Sequence, residues 1–380
     1  MQKMRVRGTV LGVALAVAGV AARGEVAWAQ AGGEAAMGTA QVVPHRPEIL
    51  TEDAALEARL REIARVHHGK VALYAEQLNT GKSVEIDADA VVQTASAIKL
   101  TILFEAMEQV RTGNAHWDDK ITLQPGDAVS GSGVLLFLDA PQTLTLKDVL
   151  TLMIVMSDNT AANLAIDKIG LAAVNARIAW LGLKDTHLYK KIGKPATEPM
   201  PADQAKFGLG KSTAREMARV MERIGLCQLE QRGELDGPGD MTSAMPISEQ
   251  DTAICGVAIK MLRNQFYRET IPRYLEKLDA TETGSGTASK TGSLNAVRAD
   301  VAIVAGKTGP MVLSIFTYEN ADTGWTVDNE GEVTIAKLAR AIVEAWSPQG
   351  IDGKTLEPGL GMVPKGTGAV RPKGGAGASN

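Results

Sequence analysis

The alternation of apolar and polar positions divides the chain into three parts. Behind Thr51, apolar residues recur at helical spacing up to His67, with Thr51 placed as an N-cap and acidic residues in the first turn. KVALYAEQL and KSVEIDADA then read as two strands around Asn79-Thr80-Gly81, a hairpin signal. From about residue 96 to 265 the pattern is mostly helical. Thr145-Leu146-Lys147-Asp148 opens one helix there with an N-cap pattern, and LKDVLTLMIVM is so densely apolar that this helix is expected to be buried. After residue 285 the period returns to two. TASKTGSL, RADVAIVAG and PMVLSIFTYE read as three strands, joined by turns short enough to favour antiparallel pairing. Glu330 to Trp346 reads as a closing helix. Strands from both chain ends therefore bracket a helical middle. The expected fold is α+β: an antiparallel sheet built from both ends with helices packed on it, an all-α part beside it, and the active site between them.

The chain ends follow different rules. MQKMRVR is basic, GTVLGVALAVAGVAA is apolar, and Ala27-Trp28-Ala29 fits a small-x-small cleavage site before Gln30. Residues 1–29 thus read as a secretory signal peptide, since the apolar run is short for a membrane span. No cysteine lies near the cleavage site to carry a lipid. The mature protein is expected in the periplasm or outside the cell, without a membrane anchor. Residues 30–49 read as a flexible lead-in, 50–346 as the folded domain, and 347–380, rich in Gly, Pro and Lys, as a flexible tail.

Loss of residues 1–29 removes four basic residues and one acidic one, taking the net charge from -4 to -7. That disfavours nucleic acid as a partner. Export permits a disulfide. The two cysteines, Cys227 and Cys255, allow one pairing, and a staple between two helices stands beside the alternative of two buried thiols.

Candidate chemistry starts at TASAIKL. Ser96 and Lys99 lie three residues apart where an apolar helix begins, so hydroxyl and amine share a face. Burial of the lysine would lower its pKa and let it take a proton from the serine. Alone, the pair reads equally as a helix cap and an exposed lysine. Two further stretches change that reading. MSDNTAAN sets Ser157, Asp158 and Asn159 after the buried helix, and ASKTGSL sets Lys290, Thr291, Gly292 and Ser293 on a predicted strand. S-x-x-K, S-D-N and K-T-G, in that order, form the set used by class A β-lactamases and penicillin-binding proteins.

On these motifs, and on SDNTAANLAIDKIG, MLRNQFYRETIPRYL and KTGSLNAVRADVAIV, the chain resembles a class A β-lactamase-like serine hydrolase over roughly residues 50 to 346. The resemblance implies Ser96 as nucleophile and Lys99 as helping to deprotonate it, directly or by holding a water. It implies an oxyanion hole from the N–H groups of Ser96 and Ser293, and Ser157 as proton relay tuned by Lys290. Asn159 would hold the substrate's side-chain amide. Lys290 and Thr291 would face its carboxylate, Gly292 would also line the substrate site, and Arg298 would either add to the carboxylate site or stand as a surface strand charge. It implies a β-lactam or a peptidoglycan-like peptide as substrate, no cofactor, and a monomer. One departure bears on outcome. The family's E-x-x-L-N loop motif is missing; Glu198 falls near its place as deacylating base or as a solvated loop charge, and Asp203 is a weaker substitute. Without such a base the chain would acylate and release slowly, as a penicillin-binding protein, a D-alanyl-D-alanine peptidase or an esterase. A non-catalytic sensor or cell-wall binding module on the same fold is the third reading.

Other chemistries lack their signatures. The five histidines, His45, His67, His68, His116 and His187, include no H-E-x-x-H or H-x-H spacing, and there is no G-x-S-x-G elbow, P-loop or dinucleotide fingerprint.

Overall fold

A computed structural model describes residues 50–196, 199–229, 247–282 and 284–361. The predicted signal peptide and lead-in, Glu198 and the end of the tail lie outside the described residues.

The N-terminal part comprises β1 (Thr51–Glu52), α1 (Ala54–Arg65), β2 (Lys70–Gln77) and β3 (Lys82–Ile86). The middle runs β4 (Val92–Gln93), α2 (Lys99–Arg111), β5 (Lys120–Leu123), β6 (Gln142–Thr145), α3 (Leu146–Val155), α4 (Asn159–Ile169) and α5 (Leu171–Trp180). It continues through β7 (His187–Leu188), α6 (Gln204–Phe207), β8 (Gly210–Ser212), α7 (Ala214–Leu226) and α8 (Glu249–Arg263). The C-terminal part holds β9 (Thr287–Leu294), β10 (Val297–Gly306), β11 (Gly309–Tyr318) and α9 (Glu330–Trp346).

Strands from both ends join in one six-stranded sheet of order β1-β3-β2-β11-β10-β9. Its long strands pair antiparallel, and only the short β1 joins in parallel. The expected α+β fold is the one observed. Every residue of β10 is buried, so both faces of the sheet are covered. Ile303 meets Gly225 of α7 on one face, and Arg298 meets Gly331 of α9 on the other. These positions differ by an odd number, as opposite faces require. The helical part centres on α2, whose residues Lys99 to Glu108 are all buried. A helix walled in on every side reads as apolar all round, apart from the polar groups it carries into the interior. The Thr145 N-cap is observed with a full capping box to Asp148.

Three expectations are corrected. Thr51 caps no helix: it pairs with Lys82 at the edge of β3, and Asp53 caps α1 by accepting from Leu56 N at 3.1 Å. The backbone groups of Thr51 and Asp53 bond to Gly81 and Ser83, so the helix starts only after the chain has left the sheet. Helix α1 also ends at Arg65, because His67 is buried and bonds Asn320 Oδ1 at 2.9 Å. The stretch from Ser347 is not a free tail as far as Gly361. Ile351, Leu356 and Leu360 are buried, and Gly359 N donates to Gly225 O at 2.9 Å. Three widely spaced apolar residues suffice to dock a Gly-rich segment, although no periodicity announces it. Cys227, in a left-handed conformation at the end of α7, is disulfide-bonded to Cys255 on α8.

Candidate active site

The three motifs meet where the helical part faces the outer strand of the sheet. Ser96 sits half-buried in a 3-10 turn, Ala95–Ile98, that runs directly into α2. Lys99 is the first residue of α2 and is fully buried. Ala95 before Ser96 (φ 47°) and Ser157 (φ 51°) are both left-handed without being glycine. Such backbone is costly and persists where its surroundings hold it.

At Ser157 the α3–α4 connection brings a hydroxyl between two buried amines. Lys99 Nζ lies 3.3 Å from Ser157 Oγ, and Lys290 Nζ lies 3.0 Å from it on the other side. Lys99 Nζ also donates to Ser157 O at 2.6 Å and to Asn159 Oδ1 at 2.9 Å. Lys290 Nζ donates to Thr291 O at 2.7 Å. A neutral amine has two N–H groups and one lone pair. With two donors on Ser157 O and Asn159 Oδ1, the lone pair of a neutral Lys99 is left for the Ser157 hydroxyl, 3.3 Å away. Burial, and then the charge of Lys290, hold Lys99 well below the ordinary lysine range. Burial also brings Lys290 down to about 7, against the opposing pull of Asp300.

Neighbouring groups fix the turn. Asp158 caps α4 by accepting from Ala161 N at 2.9 Å, and its other oxygen accepts from Val134 N at 2.6 Å and Leu135 N at 2.9 Å. Asn159 N and Nδ2 donate to Ser132 O and Ser130 O. On the sheet side, β9 presses at Gly292 on the turn that carries Ser96. A Cβ there would stand 2.8 Å from Ala97 N and Thr94 O and 3.0 Å from Ser96 N. Only glycine lets the strand come this close.

A cavity of about 880 Å³ opens over these groups, in the size range of small-molecule sites. Ser96, Ser157, Asn159, Thr291, Gly292 and Ser293 all line it, and the buried Lys99 and Lys290 reach it through Ser157. Sequence reasoning gave no role to Tyr267, Glu269, Thr270, Trp325 and Val327, which also line it and come from separate segments. It also missed Ile192. Asn163, whose amide bonds both Ile192 O (2.9 Å) and Ile192 N (2.8 Å), holds that loop so that Ile192 lines the cavity.

Other named residues lie elsewhere. Arg298 is neither a surface charge nor a lining group. It is fully buried, with Nε donating to Glu332 at 2.9 Å and its other donors to Leu294 O, Val297 O and Gly324 O. Its guanidinium also stacks on Trp325, 4.9 Å from the ring centre. Asp203 is paired with Lys211 at 2.7 Å and does not line the cavity. Among the described residues no His, Cys, Asp or Glu cluster is arranged to hold a metal ion, and no helix is long and apolar enough to cross a membrane.

Comparison with known proteins places this geometry. The model of the beta-lactamase enzyme family matches residues 55–236 and 248–346. A β-lactamase from Sphaerobacter thermophilus is 30% identical, with a TM-score of 0.60, over 77% of this chain and 97% of that one. PBP-A has a TM-score of 0.62 at 21% identity, over 81% of this chain and 100% of its own, and so is alike in fold. A variant of PBP-A has been solved as an acyl-enzyme complex with penicillin G. The β-lactamase regulatory protein BlaB of Streptomyces cacaoi is 28% identical over 133 residues, which are 34% of this chain and 43% of that protein. The chain therefore spans less than half the length of that curated relative.

Proposed function

Since the chain belongs to the beta-lactamase enzyme family, we propose that it is a serine hydrolase that opens β-lactam rings through an acyl-enzyme on Ser96. One observation carries this reading: two buried amines, Lys99 and Lys290, converge on Ser157 Oγ beside the nucleophile turn. Neutral Lys99 takes the Ser96 proton, and Oγ attacks the lactam carbonyl carbon. The oxyanion accepts hydrogen bonds from the N–H groups of Ser96 and Ser293, one such donor contributing ~3 kcal/mol of barrier lowering. The C–N bond then breaks. The proton passes from Lys99 through Ser157 Oγ to the departing nitrogen, and the lysine returns to its neutral state. Asn159 orients the acyl side chain, and Lys290 and Thr291 receive the substrate carboxylate. Arg298 has its donors engaged within the protein, so its part in carboxylate binding is indirect, through the position of Trp325. Water finally cleaves the ester, with Glu198 as the proposed base. The predicted signal peptide supports action in the periplasm or outside the cell, and the family resemblance supports a β-lactam substrate and a monomer.

A specific observation favours a second reading, slow release. The described lining of the cavity includes Ile192, Phe207 and Leu209, and its described carboxylates are Glu269 and Glu332, which come from segments other than the Glu198 loop. A chain without a base at the loop would hold its acyl group, as a penicillin-binding protein or peptidase does. Time-resolved mass spectrometry with a penicillin and a cephalosporin separates the two. An adduct on Ser96 that decays in seconds, and persists in Glu198→Gln, supports hydrolysis. An adduct that lasts for hours supports slow release. No adduct on the native chain, or an unchanged one on Ser96→Ala, overturns the assignment.

A further inference from the structure

Asp300 lies on β10 directly opposite Thr291, the residue after Lys290, and is fully buried. Its Oδ2 accepts from Thr270 Oγ1 at 2.7 Å and from Ile271 N at 3.1 Å. No cation contacts it among the described ion pairs. Neither Lys99 nor Lys290 has a carboxylate in contact either, though both are fully buried. Buried charges are costly unless compensated. Residues opposite one another in a ladder share a face, so Asp300 leaves the sheet on the side of Thr291 and Lys290 leaves on the other. The two groups lie on adjacent strands, β10 and β9, in a dry interior where Coulomb forces are weakly screened.

We propose that Asp300 is a positioning residue that keeps the proton of the lysine pair on Lys290, and thereby leaves Lys99 neutral as the base. Two ammonium groups on one hydroxyl cannot both stay charged at little cost, and the proton settles where a counter-charge lies. The inference rests on the acyl-enzyme reading only for its kinetic consequence; the proton distribution is testable without it.

The surrounding charges are otherwise engaged. Asp158 faces Lys99 from the α3–α4 turn and accepts three backbone N–H bonds. Arg298, on the same face of β10 as Asp300, pairs with Glu332 of α9. Arg273 pairs with Asp328. Glu269 and Tyr267 approach from the segment before the 3-10 turn Ile271–Tyr274 and line the cavity. Burial pushes the Asp300 carboxyl up to about 6, and its bonds to Thr270, Ile271 and Ser289 and the charge of Lys290 favour the ionised form.

The test is Asp300→Asn, which keeps an acceptor for Thr270 and Ile271 and removes the charge. Lysine 13Cε shifts, assigned with Lys290→Arg, report the titration of Lys290 in each protein. Loss of a nearby negative charge favours the neutral amine, so the Lys290 pKa should fall by about one unit or more. The alkaline limb of the acylation rate against pH should move down equally, with about tenfold slower acylation above it. Thr270→Val, which weakens only the carboxylate's support, should move both in the same direction by less, and serves if the Asn variant does not fold. A Lys290 titration unmoved in a folded variant overturns the inference. Absence of any acylation in the native protein would instead overturn the functional reading, with the lysine titration still deciding this one.

Discussion

Replacing Gly292 by alanine should cripple acylation while leaving the fold standing. The new methyl would lie 2.8 Å from Ala97 N and Thr94 O and 3.0 Å from Ser96 N. These are backbone atoms of the turn that carries Ser96, the proposed nucleophile, so no side chain can swing away to make room. Carbon needs about 3.5 Å from such neighbours, so strand β9 and the turn must part by about 0.7 Å. The proposed oxyanion donors sit on the two sides of that gap, Ser96 N on the turn and Ser293 N on the strand. A hydrogen bond of about 2.9 Å stretched by this amount is no longer one. Loss of one oxyanion donor costs about 10²–10³ in rate, or ~3 kcal/mol of barrier. Overpacking costs ~1–3 kcal/mol of stability, which a domain of this size withstands. Stopped-flow acylation with a chromogenic cephalosporin, alongside a thermal melt, reads both. Ser293→Ala keeps its N–H and should remain within a few-fold of the parent. A folded Gly292→Ala protein acylating within about threefold of the parent would refute the argument that this contact sets the oxyanion geometry.

Two further outcomes follow from the same structure. Asp158→Ala leaves three backbone N–H groups without their acceptor and should lower stability by ~2–4 kcal/mol, read as a shifted denaturant midpoint; an unchanged midpoint would mean water replaces the carboxylate. Reduction of the Cys227–Cys255 bond, which closes a loop of 28 residues, should cost ~3 kcal/mol in a thermal or urea melt with little change in Ser96 acylation; a lost site with an intact melt would tie the bridge to the cavity instead.

Much of the architecture was legible in the sequence because its causes are local. Periods of two and 3.6 marked β9 to β11, the hairpin at Asn79-Thr80-Gly81, the capped α3 and the closing α9. The motif residues Ser96, Ser157, Asn159 and Thr291 are brought to one cavity. What tertiary structure decided depends on which distant atoms surround a group. S-x-x-K cannot say whether its lysine is buried; α4, β9 and Ser157 close over Lys99 and decide it. Arg298 reads as an ordinary strand charge until Glu332, arriving on α9, pairs with it inside the protein. Asp300 carries no local signal, and its weight comes from lying one strand away from a lysine in a dry interior. Thr51 has the chemistry of a helix cap, but a free strand edge at Lys82 claimed its backbone. Periodicity is a property of neighbours along the chain. Burial and charge coupling belong to neighbours in space, and those exist only after the two ends have met in one sheet.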